Sequence, residues 1–335
     1  MRKILVALFV SIFSIVMLTV LLFVVSPVPT SMLIHKLFEG GMAVEPANYA
    51  EIEQGTRTYQ DVSYQSVYQD GDLDIITPKE FEGKLPVIFW VHGGAFLGGD
   101  KADITEYAVQ IANEGYIVVN LNYELAPSAK YPTPLLQVSE AYSFIMQEAA
   151  TYGMNMDRVY FAGDSAGAQI VSQFVNVQVE PSYAKVAKLE AIVLPETIEG
   201  VLLFCGPYDV TRFGEISDNA LVSFLFRRVG WAYLGDRNWL DSDEAKEASI
   251  IEYVSESFPP TFITDGNTGS FEDQGIELTQ KLKDNGVFVQ DIFYSTEEAE
   301  FGHEYQFVMN TPQAENTFQE MMAFLKTTQG DSEER

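Results

Sequence analysis

The sequence predicts an α/β fold, a mostly parallel sheet flanked by helices, and two observations carry that reading. From Thr56 onward, apolar runs of strand length alternate with helical patterns, the signature of crossover units. One of those runs passes directly through Gly163-Asp164-Ser165-Ala166-Gly167 into a helical pattern, a strand–turn–helix junction built around a serine. A third observation places a membrane-crossing helix ahead of the sheet.

Arg2 and Lys3 precede Ile4 to Val25, an apolar stretch broken only by Ser11, Ser14 and Thr19. About 20 such residues cross a hydrocarbon core. A cleaved secretory signal has a shorter apolar region, about 7–15 residues, ending in a small-x-small site. Ser26-Pro27-Val28-Pro29 offers no such site. The expectation is a signal-anchor over 1–28 that meets the lipid bilayer through residues 4–25. The two N-terminal charges favour a cytoplasmic N-terminus, which puts the rest of the chain on the extracytoplasmic side; a secreted protein, released by cleavage near Ser26, is the alternative.

Residues 29–55 lead into the domain and contribute to a cap. The main domain occupies 56–327, with strands expected at Val87 to Val91, Ile117 to Asn120, Val159 to Ala162, Val201 to Cys205, Phe262 to Thr264 and Val289 to Tyr294. Helical patterns fill the gaps: Ile104 to Asn113, Leu135 to Tyr152, Ala166 to Val177, Phe271 to Asn285 and Gln313 to Lys326. One aromatic-rich stretch, about 211–257, breaks the alternation and reads either as a cap over the sheet's edge or as a docked helical excursion. The polar tail 328–335 is expected to be disordered.

With 335 residues, 47% of them apolar, the chain can bury a full core. Its formal charge of −28 repels phosphate backbones and anionic headgroups, which argues against nucleic acid as a partner. Cys205 is the single cysteine, so no intrachain disulfide and no multi-thiolate metal site is possible. In its apolar setting it reads as packing.

The serine junction has the features of a nucleophile elbow: the glycines relieve crowding, and the hydroxyl lies at a helix start, where N–H groups stabilise negative charge. Upstream, the strand Val87 to Val91 ends in His92-Gly93-Gly94-Ala95-Phe96, small residues that can aim successive N–H groups at one point. Gly93, Gly94 and Ala95, with Ala166 after the serine, are therefore the candidate oxyanion donors. Of three histidines, His35 adjoins the membrane segment and His92 belongs to the glycine turn. His303 follows the last strand, and it completes a serine–acid–histidine chain order. Ser165 is the candidate nucleophile and His303 the candidate base.

On His92-Gly93-Gly94-Ala95-Phe96, Tyr123-Glu124-Leu125-Ala126-Pro127, Gly163-Asp164-Ser165-Ala166-Gly167 and Gly302-His303-Glu304, the sequence resembles the hormone-sensitive-lipase-like α/β-hydrolase carboxylesterases. The motifs run in that family's order from about Pro86 to Phe324. The resemblance implies an α/β-hydrolase fold with a cap, hydrolysis of carboxylic esters, often short-chain or acetyl, and no metal or organic cofactor. One position departs: Gly269-Ser270 stands where such enzymes commonly carry the Asp-Pro of the triad acid. Glu272, one turn on, is the first candidate to replace it, with Asp273 and Asp209 behind. The expected activity is ester cleavage through an acyl-enzyme. An amidase or peptidase with the same triad, or a silent membrane-tethered binding ectodomain, are the alternatives.

Overall fold

The structure, a computed structural model, describes residues 2–38, 40–41, 43–215 and 219–333. Three helices come first: α1 (Arg2–Val25), α2 (Val28–Leu37) and α3 (Tyr49–Gln54). The sheet begins with β1 (Thr56–Ser63) and β2 (Asp72–Pro78), a hairpin absent from the expected strands, followed by β3 (Leu85–Val91). Then α4 (Thr105–Asn113), β4 (Ile117–Leu121), α5 (Thr133–Tyr152), β5 (Met154–Asp164), α6 (Ala166–Val179), α7 (Pro181–Ala187) and β6 (Ile198–Phe204) alternate. The aromatic-rich insertion holds α8 (Ala220–Leu234) and α9 (Asp243–Ala248) joined by short 3₁₀ turns; its residues 216–218 lie outside the described ones. After it come β7 (Thr261–Asp265), α10 (Glu272–Asp284), β8 (Val289–Phe293) and α11 (Pro312–Glu333).

The eight strands form one sheet in the order β1-β2-β4-β3-β5-β6-β7-β8, antiparallel at β1/β2 and β2/β4 and parallel elsewhere. Parallel strands covered on both faces read as continuous apolar runs, and β3 shows why. Val87, Phe89 and Val91 enter the core beneath α5, α6 and α10, while Ile88 and Trp90 enter the opposite core beneath α4 and α11. Register then decides what meets at the sheet's edge. Val91 pairs with Gly163, Asp164 with Phe204, and Phe204 with Thr264. The residues just past β3, β5, β6 and β7 therefore emerge side by side.

The tail departs from expectation. In place of disorder over 328–335, α11 continues to Glu333, because Thr328 bonds the Tyr160 hydroxyl (2.8 Å) and Gln329 donates to the Tyr116 hydroxyl (2.7 Å). Residues 334 and 335 lie outside the described ones.

The hairpin is tied to the sheet by charge. Lys101, whose side chain is 7% exposed, meets Asp61 (2.7 Å), Asp74 (3.0 Å) and Asp72 (3.2 Å). Burial works against its charge, and the three carboxylates more than offset that, so its pKa is raised. Removing one partner of a buried ion pair strands the other, here Asp74, at a cost of about 3–5 kcal/mol. Lys101→Met is expected to destabilise by that amount in thermal unfolding.

Candidate active site

Ser165 occupies the single residue between β5 and α6, with φ 49° and ψ −117°, a strained combination for a residue with a side chain. Its N–H donates to the Phe204 carbonyl (2.7 Å), pinning the turn to the neighbouring strand. The packing beneath explains the second glycine of the motif: a Cβ on Gly167 would lie 2.0 Å from the Val91 carbonyl oxygen. The turn thus holds the Ser165 hydroxyl at the start of α6, where unsatisfied N–H groups cluster.

His303, in the loop between β8 and α11, brings Nε2 to 2.9 Å from Ser165 Oγ. Its Nδ1 lies 2.6 Å from Ser270 Oγ, and Ser270 in turn donates to Asp265 Oδ1. A hydroxyl carries one proton. With that proton directed at an ionised Asp265, Ser270 accepts from Nδ1–H, and Nε2 is left bare toward the Ser165 hydroxyl. Asp265 ends β7 and is almost wholly buried; burial raises its pKa to about 7 against the opposing hydrogen bond from Ser270. Burial lowers that of His303 to about 4.

None of the carboxylates expected from the sequence meets the imidazole, so Glu272, Asp273 and Asp209 are corrected. Ser270 occupies the Nδ1 side and Phe271 makes an edge contact with the imidazole at 5.7 Å, while Glu272 opens the helix that follows. Asp273 pairs with Arg212. Asp209 accepts from Thr211 Oγ1 (2.6 Å) and Ser249 Oγ (2.9 Å), tying the insertion to the sheet. The missed residues left a partial signal: an acid ending a buried strand at Asp265 and a serine at the very position of the departure. Connecting them required the loop's path.

The glycine turn also needs one correction. Gly93 donates its N–H to Asp164 Oδ2 (2.7 Å), so it is not a free donor. Gly94, Ala95 and Ala166 have N–H groups with no partner among the described residues. Gly94 sits at φ 103°, and a Cβ there would lie 2.1 Å from the Gly98 carbonyl oxygen, so this turn admits only glycine. Ala95 and Ala166 line the same cavity as Ser165 and His303, and Gly94, between Gly93 and Ala95, also borders a second, smaller hollow.

Beneath the turn lies a pair of buried carboxyls. Asp164 accepts from Trp90 Nε1 (2.7 Å) and from Gly93, and Glu304 lies against it, with Oε1 3.7 Å from His303 Nε2. Burial raises both pKa values; the Asp164 carboxylate raises that of Glu304 further, while the hydrogen bond from Glu304 works the other way on Asp164, so the pair favours one shared proton on Glu304 and less negative charge beside the imidazole. Cys205, Asp265 and His303 place possible metal-ligand atoms within 4.8 Å of one another. Both nitrogens of His303 are engaged with hydroxyls, so a metal there would have to break the Ser270 contact.

The cavity over Ser165 holds 310 Å³, at the small end of ligand sites, which span about 300–1,000 Å³. Its walls are mainly apolar: Phe96 from the glycine turn, Phe213, Val222 and Phe226 from the insertion, Phe38 after α2, and Phe271. The aromatic insertion therefore closes over the serine.

Residues 73–282 match the family model described as BD-FAE. The chain is 25% identical over 213 residues to a probable carboxylic ester hydrolase, LipM, of Mycobacterium tuberculosis, covering 63% of this chain and 48% of the relative. It is 28% identical to the versiconal hemiacetal acetate esterase of Dothistroma septosporum, covering 65% and 68%. The chain thus spans about half the length of the first relative. Among solved structures, esterase B from Lactobacillus rhamnosis superposes with a TM-score of 0.72 at 17% identity, over 88% of this chain and 90% of that one. Identity that low speaks for the fold alone.

Proposed function

Since the chain belongs to the BD-FAE family of α/β-hydrolases, we propose that it is a carboxylesterase that cleaves carboxylic esters through an acyl-enzyme on Ser165. The observation that carries this reading is the continuous line Ser165–His303–Ser270–Asp265, with a strained serine at one end and a buried carboxyl at the other.

His303 Nε2 takes the Ser165 proton as Oγ attacks the ester carbonyl carbon, and the electron pair of the C=O bond moves to oxygen. The N–H groups of Gly94, Ala95 and Ala166 receive that oxyanion. Collapse breaks the bond to the alcohol oxygen, which takes the proton back from His303. Water, deprotonated by the same imidazole, then attacks the acyl carbon, releasing the acid and restoring Ser165. Asp265 acts through Ser270: it holds the tautomer and faces the imidazolium charge as that charge forms.

The small apolar cavity favours a short or medium acyl group. We place α1 across a membrane, with Arg2 and Lys3 on the cytoplasmic side and the catalytic domain outside.

The test is hydrolysis of p-nitrophenyl esters, from acetate to long chains, by the full chain in detergent, together with fluorophosphonate labelling of Ser165. Turnover that peaks at short chains, with both turnover and labelling lost in Ser165→Ala, is expected. A folded chain that neither turns over ester nor labels would overturn the reading and favour the binding ectodomain.

A further inference from the structure

Helix α1 has 24 residues and buries none of them. At about 1.5 Å per residue its length is sufficient to cross a hydrocarbon core of about 30 Å. Only Ser26 and Pro27 separate it from α2. When α1 crosses a bilayer, this short link holds the start of α2 within about 10 Å of the surface.

The face that α2 turns outward suits that position. Thr30, Ser31 and Ile34 point into the protein, while Val28, Met32, Leu33 and Leu37 are exposed. Helix α8 packs beside α2 and exposes Leu221 and Phe224. Arg228 of α8 donates to the Phe23 carbonyl near the C-terminal end of α1, joining the helices, and its guanidinium lies between the Phe224 and Trp231 rings (5.0 and 4.8 Å).

Charge points the same way. The chain carries 48 acidic residues, yet α1, α2 and α8 contain none, while Lys36 and Arg227 are exposed on α2 and α8. The three helices thus add no anionic charge to this face, and the carboxylates of Asp70 and Glu124 share a hollow with Val28 and Met32 at the outer edge of α2, where His35 and Lys36 stand beside them. These helices also build the cavity: Val222 and Phe226 line it from α8, and Phe38 lines it just after α2.

We infer that the joint face of α2 and α8 rests on the lipid bilayer, and that the substrate is an amphiphilic ester passing from the bilayer between these helices to Ser165. The inference deepens the esterase reading and rests on it. It differs from a reading in which α1 is only a tether, because the tether alone gives no reason for exposed apolar side chains beside the cavity.

The experiment uses the full chain in phosphatidylcholine vesicles with two substrates, water-soluble p-nitrophenyl acetate and a short-acyl ester whose fluorogenic alcohol carries a long alkyl chain that keeps it dissolved in the lipid. Met32→Glu and Leu221→Glu alter exposed positions outside the cavity lining. Each is expected to leave acetate turnover within about two-fold and to lower turnover of the lipid-dissolved ester about ten-fold, since a charge is costly at an apolar interface. An environment-sensitive dye on Leu221→Cys, where the native Cys205 is buried, should report apolar surroundings in vesicles. Wild-type rates on both substrates with a water-exposed dye would overturn the inference and leave the esterase reading standing. A wild type inert toward both substrates, with Ser165 unlabelled, would overturn both. A mature chain beginning after Val25 would remove the tether and defeat the bilayer face alone.

Discussion

Asp265→Asn is expected to lower kcat on p-nitrophenyl acetate by about 10³-fold, approaching the ~10⁴ seen when the orienting acid of a serine protease is amidated. The reason is proton direction. An asparagine N–H can donate to Ser270, whose own proton then turns toward His303 Nδ1, and Nε2 becomes the protonated nitrogen that cannot accept from Ser165. Ser270→Ala removes the acceptor of Nδ1–H and leaves Asp265 without its hydroxyl, with an expected loss of about 10²-fold. Ser270→Asp places a carboxylate directly against the imidazole and is expected to rescue Asp265→Asn, an outcome that a merely structural role for Asp265 does not predict.

The same relay sets the pH dependence. Protonated Asp265 donates to Ser270 and reverses the relay, so activity requires its ionised form. With the Asp265 pKa raised to about 7 by burial, kcat/KM is expected to rise with pH through about 7; His303 alone, lowered to about 4, would place that rise near 4. Asp265→Asn should remove the limb near 7. A wild-type profile flat from about pH 5 to 9 would show that Asp265 does not govern the base.

Gly167→Ala is the second large effect. Its Cβ would lie 2.0 Å from the Val91 carbonyl oxygen and 2.7 Å from that of His92, and both neighbours are backbone that cannot rotate away. Relief requires α6 to move off β3, which carries Ser165 away from the glycine turn. The expected cost is about 3 kcal/mol or more in unfolding, at the upper end of core overpacking, with a fall in kcat of at least about 10²-fold. Gly286→Ala is the contrast: its φ of 81° strains an added side chain, but the Cβ meets nothing within 4 Å. It should cost about 1–2 kcal/mol and leave kcat unchanged.

Much of the fold was legible because its central strands are buried on both faces: Val87 to Val91 and Val201 to Cys205 could be read as strands from composition alone. The hairpin β1–β2 was not, since Thr56–Ser63 is a half-exposed edge strand with no apolar run. The pairing of Ser165 with His303 was legible for a different reason. The glycines around the serine answer to local crowding, and three histidines left little choice for an imidazole beside it.

The sequence by itself determined the central parallel strands, the strained turn at Ser165, the glycine turn and the apolar leading helix, because each depends on a local pattern or on residues close in the chain. Only the tertiary structure decided what lies behind the imidazole. Asp265, Ser270 and His303 come from a strand end and two separate loops, and Ser270, not the longer Glu272 close by in sequence, takes the contact with the imidazole. It also decided that Gly93 serves Asp164 and that α2 and α8 share one outward apolar face. Hydrogen-bond partners and shared faces are set by where distant segments meet, and a one-dimensional pattern does not carry that distance.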